Sequence, residues 1–195
     1  MKKLILATHN KHKADEIKAV LKGHKILTLS DIGYTDEIPE TGSTFTENAL
    51  IKARTISKKY KILTLADDSG LEVAYLKGEP GVYSARYAGK NATQKMLCKK
   101  ILSKLETLKK PIERNACFKT VMALVYSSTG EEVTFEGKLN GWITAEMKGN
   151  NGFGYDPIFF YPQMNKTLAE LTAKEKNSIS HRSKSLKKVA TYLNK

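Results

Sequence analysis

The sequence predicts an α/β protein built on a mixed β-sheet flanked by helices. Three observations carry this. The chain opens as strand, polar turn and helix; short apolar runs then alternate with stretches of helical spacing; and a hairpin enters only in the second half. The 195 residues are enough to bury a real core, and 41% hydrophobic with 27% charged residues is ordinary for a globular chain. We expect one domain over 1–195.

Each element has a local reason. Lys3–Ala7 is apolar, ends at Thr8 and reads as a buried strand. Lys11–Lys22 carries Ala14, Ile17, Val20 and Leu21 at helical spacing, and Gly23 stops it. Lys25–Leu29 is a second strand, followed by a polar loop from Ser30 to Gly42 with turns at Pro39 and Gly42. Thr44 and Glu47 have capping-box spacing, which predicts a helix from Phe45 to about Lys59. Ile62–Ala66 is a strand that delivers Asp67-Asp68-Ser69-Gly70 into a turn, and Leu71–Leu76 resumes as strand. Gly78–Gly89 reads as loop. Asn91-Ala92-Thr93-Gln94 resembles a cap for a helix to about Leu108, with Met96, Leu97, Ile101, Leu102 and Leu105 on one face.

Asn115–Ser127 and Glu131–Leu139 form a hairpin around Ser128-Thr129-Gly130, and Trp142–Ala145 and Ile158–Tyr161 are short strands. Lys148–Tyr155, with three glycines and two asparagines, suits a backbone that approaches a ligand closely. Thr172 and Glu175 predict a short helical turn. A last helix follows from Asn177, with Ile179, Leu186, Val189 and Leu193 at helical spacing.

Composition narrows the function. The longest apolar runs, Ile62–Ala66 and Val121–Tyr126, are far too short for a membrane span, and Met1-Lys2-Lys3 opens no signal peptide. Cys98 and Cys117 lack metal-ligand spacing and read as reduced residues of a cytoplasmic protein. A net charge of +13 suits a polyanionic partner. Yet residues 26–51 contain no Lys or Arg, while Asp31, Asp36, Glu37, Glu40 and Glu47 all fall there. A nonspecific nucleic-acid binder has little use for that window; a site holding a cation beside a polyphosphate does. Lys99, Lys100 and Lys104 read as solvated helix surface.

Four clusters can carry chemistry. Thr8-His9-Asn10-Lys11-His12-Lys13 lies where a strand feeds a helix, a place that favours anions; Thr8 and Asn10 can donate to phosphate oxygens and Lys13 adds a point charge. A plain helix N-terminus would look the same. Glu40 and the Asp67-Asp68 pair can share a divalent cation, since magnesium takes one or two carboxylates together with water and substrate phosphates. The bland alternative has one aspartate capping its own turn. Gly152-Phe153-Gly154-Tyr155-Asp156-Pro157 offers Phe153 for stacking on a base, whereas Tyr155 fits an aromatic plug against the core. Lys176 and Ser180-His181-Arg182 put donors near the front of the last helix, with Lys184, Lys187 and Lys188 as solvated surface.

Together these segments resemble the inosine triphosphate pyrophosphatase family, which hydrolyses non-standard purine nucleotides. The likeness runs from Ala7-Thr8-His9-Asn10 and Lys13 through Glu40-Thr41-Gly42, Phe45, Glu47-Asn48-Ala49 and Lys52-Ala53-Arg54. It continues through Ala66–Leu71, Gly81–Tyr87, Gly152–Phe160, Ala169-Glu170-Leu171 and Ser180-His181-Arg182. His9 departs from the glycine of many members. The resemblance implies a long curved mixed sheet in two lobes with a central cleft, a homodimer, and Mg2+-dependent cleavage of ITP, dITP or XTP to the monophosphate and pyrophosphate.

By position the resemblance makes Asp68 the proton acceptor and Glu40 and Asp68 the metal ligands, with Asp67 supporting them. It has Thr8, Asn10 and Lys13 hold the phosphates, with Lys52 and Ser69 nearby, and counts His9, Lys11 and His12 among the substrate-binding residues. By the same resemblance Phe153 stacks on the purine with Asp156, Lys176, His181 and Arg182 around its edge, and Gly154 and Tyr155 are counted among the substrate-binding residues. A 6-oxo acceptor on hypoxanthine or xanthine suits Lys176 or Arg182, both pure donors. Two alternatives stand beside it: a Maf-like nucleotide pyrophosphatase with another base preference, and a basic nucleic-acid-binding module.

Overall fold

The computed structural model describes residues 2–194. Among them, seven strands form one sheet: β1 (Lys3–Leu6), β2 (Lys25–Thr28), β3 (Thr64–Val73), β4 (Asn115–Val125), β5 (Glu132–Ile143), β6 (Phe159–Tyr161) and β7 (Lys166–Thr167). Their spatial order is β2-β1-β3-β4-β5-β6-β7. β1 pairs in parallel with β2 and β3, whereas β6 runs antiparallel to β5 and β7, so the sheet is mixed as the sequence predicts. Five α-helices accompany it: α1 (Lys11–Val20), α2 (Phe45–Tyr60), α3 (Gln94–Lys104), α4 (Ala173–Ile179) and α5 (His181–Leu193).

The chain divides into two compact units. Unit 1 comprises Met1–Asp68, Thr120–Gly137 and Arg182–Lys195; unit 2 comprises Ser69–Lys119 and Lys138–His181. Each has its own core. In unit 1, Leu4 and Leu6 of β1 meet Ala14, Ile17 and Leu21, with Leu65, Met122, Leu186 and Val189 closing the cluster. In unit 2, Leu97, Cys98 and Ile101 of α3 pack with Leu71, Phe118, Ile143, Tyr155 and Phe159. Each fully buried aliphatic or aromatic side chain contributes about 1.5–3 kcal/mol.

Local chemistry sets the helix ends. Thr44 and Glu47 form the expected capping box on α2, and Thr172 and Glu175 form another on α4. α3 starts one residue after Thr93, whose hydroxyl accepts from the Met96 N–H, and stops at Lys104 rather than Leu108.

Four sequence expectations need correction. Asp67-Asp68-Ser69-Gly70 makes no turn: β3 runs unbroken through it, because ladder bonding in a sheet interior outweighs the turn propensity of these residues. Trp142–Ala145 is not a separate strand; its first two residues belong to β5. Met96 is about half exposed and lies off the buried face of α3. Ile179 belongs to α4 and packs in the unit 2 core, because the chain leaves helical geometry at Ser180 before α5 begins.

Candidate active site

The acidic centre of unit 1 is built on β3. Consecutive strand residues face opposite ways, so Asp67 and Asp68 present their carboxylates to different neighbours. Asp67 is 1% exposed. Its Oδ2 lies 2.9 Å from Lys13 Nζ and 3.7 Å from Arg182 Nε. Burial opposes its ionisation, but the charges of Lys13, Arg182 and Lys52 prevail and hold the carboxyl well below the usual carboxylate range. Arg182, itself 2% exposed, also meets Glu16 Oε2 of α1 at 2.5 Å.

Asp68 faces a different set. Its Oδ2 accepts from Asn48 Nδ2 at 3.0 Å, and its Oδ1 lies 3.8 Å from Lys52 Nζ. Burial raises its pKa, and the Glu40 charge adds to this against the opposing pull of Lys52 and Lys13. Glu40 reaches the same ammonium, with Oε1 at 2.5 Å from Lys52 Nζ. Burial alone would lower the pKa of Lys52, yet Asp67, Asp68 and Glu40 together raise it. Asn48 and Lys52 both project from the buried face of α2, one turn apart.

Carboxylates from two distant stretches, Glu40 and Asp68, thus converge on one positive charge. That donor set fits a hard divalent cation. Among the described residues no group of three or more His, Cys, Asp or Glu side chains gathers as a metal cage. Magnesium needs none, since it takes one or two carboxylates and leaves its other positions to water and phosphate.

The N-terminus of α1 lies in the same unit. Asn10 is its N-cap: Oδ1 accepts from the Lys13 N–H at 3.1 Å, while the Asn10 N–H donates to Thr8 Oγ1 at 3.2 Å. His9 is exposed, with Nε2 3.0 Å from the Asp36 carbonyl and its ring stacked toward Tyr34 at 6.3 Å. Lys11 and His12 are exposed on the first turn. Lys13 is the member turned inward, and burial lowers its pKa against the pull of Asp67.

Unit 2 holds an aromatic and charged cluster. Asp156 Oδ2 accepts from the Phe153 N–H at 2.8 Å and from Lys176 Nζ at 2.6 Å. The same ammonium sits 4.5 Å from the Phe153 ring centroid, close enough for a cation–π contact. Gly152 has φ +76°, and a Cβ there would collide with the Asp156 carboxylate, so only glycine fits. Phe153 is half-buried.

The structure redistributes several expected residues. Tyr155 is core: it is 3% exposed and its hydroxyl donates to the Ser84 carbonyl at 2.8 Å, so its side chain has no surface for a base. The Gly154 carbonyl accepts from Cys98 Sγ at 3.4 Å, and burial pushes that thiol up to about 12, keeping it protonated. His181 is buried in unit 2 with its ring stacked on Phe118 at 4.9 Å. Arg182 belongs instead with Asp67 and Glu16 in unit 1. Successive helical residues point about 100° apart, which separates this pair despite their adjacency. Ser69 follows Asp68 in β3 and is half-buried. Sequence reasoning missed Asn48 and Glu16 as site residues. An asparagine one turn before Lys52, on a mostly apolar face of α2, is the signal that marks the first.

Comparison with known proteins supplies the family. A model of the Ham1 family matches residues 4–192. The chain belongs to this family. Ham1 relatives include the dITP/XTP pyrophosphatase of Bacillus licheniformis, 50% identical with 99% of this chain and 98% of that one covered. The dITP/XTP pyrophosphatase of Bacillus subtilis is 47% identical over 99% and 98%. Among solved structures, a HAM1 protein from Coxiella burnetii superposes with a TM-score of 0.92 at 43% identity, covering 100% of this chain and 99% of that one. The Staphylococcus aureus Ham1 protein gives 0.91 at 37% identity, covering 99% and 98%. The resemblance read from the sequence and the mixed sheet with flanking helices are both borne out.

Proposed function

We propose that the protein hydrolyses non-standard purine nucleoside triphosphates, namely ITP, dITP and XTP, to the nucleoside monophosphate and pyrophosphate. The observation that carries this is the convergence of Glu40 and Asp68 on the Lys52 ammonium, in the unit that also holds Lys13 and the N-terminus of α1. The names of the relatives supply the substrate class. Neither the Maf-like reading nor the nucleic-acid reading has such support. The span 1–195 acts as one pyrophosphatase domain, as a homodimer, in the cytoplasm. No helix among the described residues is long and apolar enough to cross a membrane.

Glu40 and Asp68 would hold Mg2+. When bound, the ion neutralises phosphate charge and acidifies the nucleophilic water. The chain's own residues do the rest. Asp68 would take a proton from the attacking water. Lys52 and Lys13 neutralise the polyphosphate, while Thr8, Asn10 and Ser69 donate to its oxygens. Asp67 holds Lys13 and Arg182 in place.

The base is assigned to Phe153, Asp156 and Lys176. Phe153 stacks on the purine, and Lys176, fixed by Asp156, donates to the 6-oxo group. Adenine would set an amino donor against that donor, at a cost of about 1–3 kcal/mol.

A product-resolved assay of ITP against ATP and GTP, with Mg2+ and with EDTA, tests this. Pyrophosphate should appear from ITP, only with metal, and faster than from ATP. Release of inorganic phosphate alone, or equal rates with ATP, would overturn the assignment.

A further inference from the structure

The geometry points to Asn48 as a positioning residue that locks Asp68 to the loop carrying Glu40, so that the two carboxylates are presented together. It deepens the reading above, resting on Asp68 and Glu40 as the reacting and metal-holding groups. Asn48 is fully buried, and both ends of its amide are spent on these two segments. Its Oδ1 accepts from the Gly42 N–H at 2.8 Å, and its Nδ2 donates to Asp68 Oδ2 at 3.0 Å. A backbone N–H can only donate, so the Gly42 contact fixes the amide orientation and turns its N–H toward the carboxylate. One amide thereby joins residue 42, two positions after Glu40, to Asp68 on β3.

The glycine is part of the device. Gly42 has no left-handed backbone angle to explain it. A Cβ at this position would instead stand 2.8 Å from Asn48 Oδ1 and 2.6 Å from Glu47 Cβ. Gly42 is therefore required for close approach to the amide rather than for a turn. With Oδ2 of Asp68 held by Asn48, Oδ1 is the oxygen turned toward Lys52. Rotation of this carboxylate would break that division of labour, and the hydrogen bond from the Asn48 amide opposes it.

The test uses Asn48→Ala, Gly42→Ala, the double variant and Asn48→Asp. The last keeps the shape and the acceptor for Gly42 but loses the donor to Asp68. We expect kcat for ITP to fall at least about tenfold in each, with KM within about twofold, because geometry is lost rather than substrate contact. The double variant should be no slower than the worse single one, since both act through one amide. Mn2+ binding without nucleotide, followed by electron paramagnetic resonance, should weaken about fivefold or more in Asn48→Asp. Circular dichroism checks that each variant is folded; if Asn48→Ala is not, Asn48→Asp alone decides.

A folded Asn48→Asp protein with wild-type kcat, or with unchanged Mn2+ affinity, removes Asn48 from this role. Additive losses in the double variant do the same. Wild-type protein that releases no pyrophosphate from ITP sinks the proposed function instead, so the two failures are told apart.

Discussion

Asp67→Asn isolates the electrostatic keystone of unit 1. The substitution keeps shape but removes the charge 2.9 Å from Lys13 and 3.7 Å from Arg182, both largely buried. Breaking a buried pair by removing one partner costs about 3–5 kcal/mol. Two features place the loss near the lower limit. Arg182 keeps Glu16, and Lys13, whose pKa burial already lowers, can shed its proton. We therefore expect about 3 kcal/mol at pH 7, which for a urea dependence of about 2 kcal/mol/M moves the midpoint down by about 1.5 M.

The pH dependence has a definite sign. Asp67 has its pKa depressed in the folded protein, so its contribution is complete above the unfolded value, about 3.9, and is lost as pH falls below it. Each pH unit of descent removes up to about 1.4 kcal/mol from the wild type by this route. Asp67→Asn should lack that component, and the two stability curves should approach each other below pH 4. Urea unfolding by circular dichroism between pH 3 and pH 8 reads both quantities. A variant within about 1 kcal/mol of wild type at pH 7, or one with an undiminished acid slope, refutes the electrostatic account.

Other outcomes follow from the same geometry. Asp68→Asn should fold and bind ITP but lose at least about a thousandfold in kcat, as expected for loss of the group proposed to take the proton and help hold the metal; rapid pyrophosphate release by this variant would exclude Asp68 as the proton acceptor. Phe153→Ala should raise KM for every purine triphosphate by about 5- to 150-fold, matching about 1–3 kcal/mol of stacking, and an unchanged KM would make the ring structural. Thr44→Ala removes the hydroxyl that accepts the Glu47 N–H and should cost about 1 kcal/mol in urea unfolding with no change in base preference; an unaltered midpoint would show that the cap contributes nothing.

Much of the fold was legible because its signals are local. Capping boxes at Thr44–Glu47 and Thr172–Glu175 need only the right atoms three residues apart, and both formed. The failures lie where distant contacts outweigh local preference. Asp67-Asp68-Ser69-Gly70 looks like a turn in isolation, but the lysines, Arg182 and Asn48 that compensate its buried charge come from elsewhere in the chain. In the candidate site, residue types were readable, and the structure brings Glu40 and Asp68 to Lys52 and Phe153 to Asp156, but it separates other expected neighbours. His181 and Arg182 are neighbours in sequence, yet the turn of α5 gives one to Phe118 and the other to Asp67.

The unbroken β3 has a consequence for how this gene can drift. Inserting or deleting one residue inside the strand ahead of Asp67 would exchange the orientations of the two aspartates, sending Asp68 toward Lys13 and Asp67 toward Asn48. Length variation must therefore be absorbed in surface connections such as 126–131, where no parity is at stake. Proteins evolved or engineered from this scaffold should tolerate loop indels readily and frame slips within Thr64–Asp68 not at all.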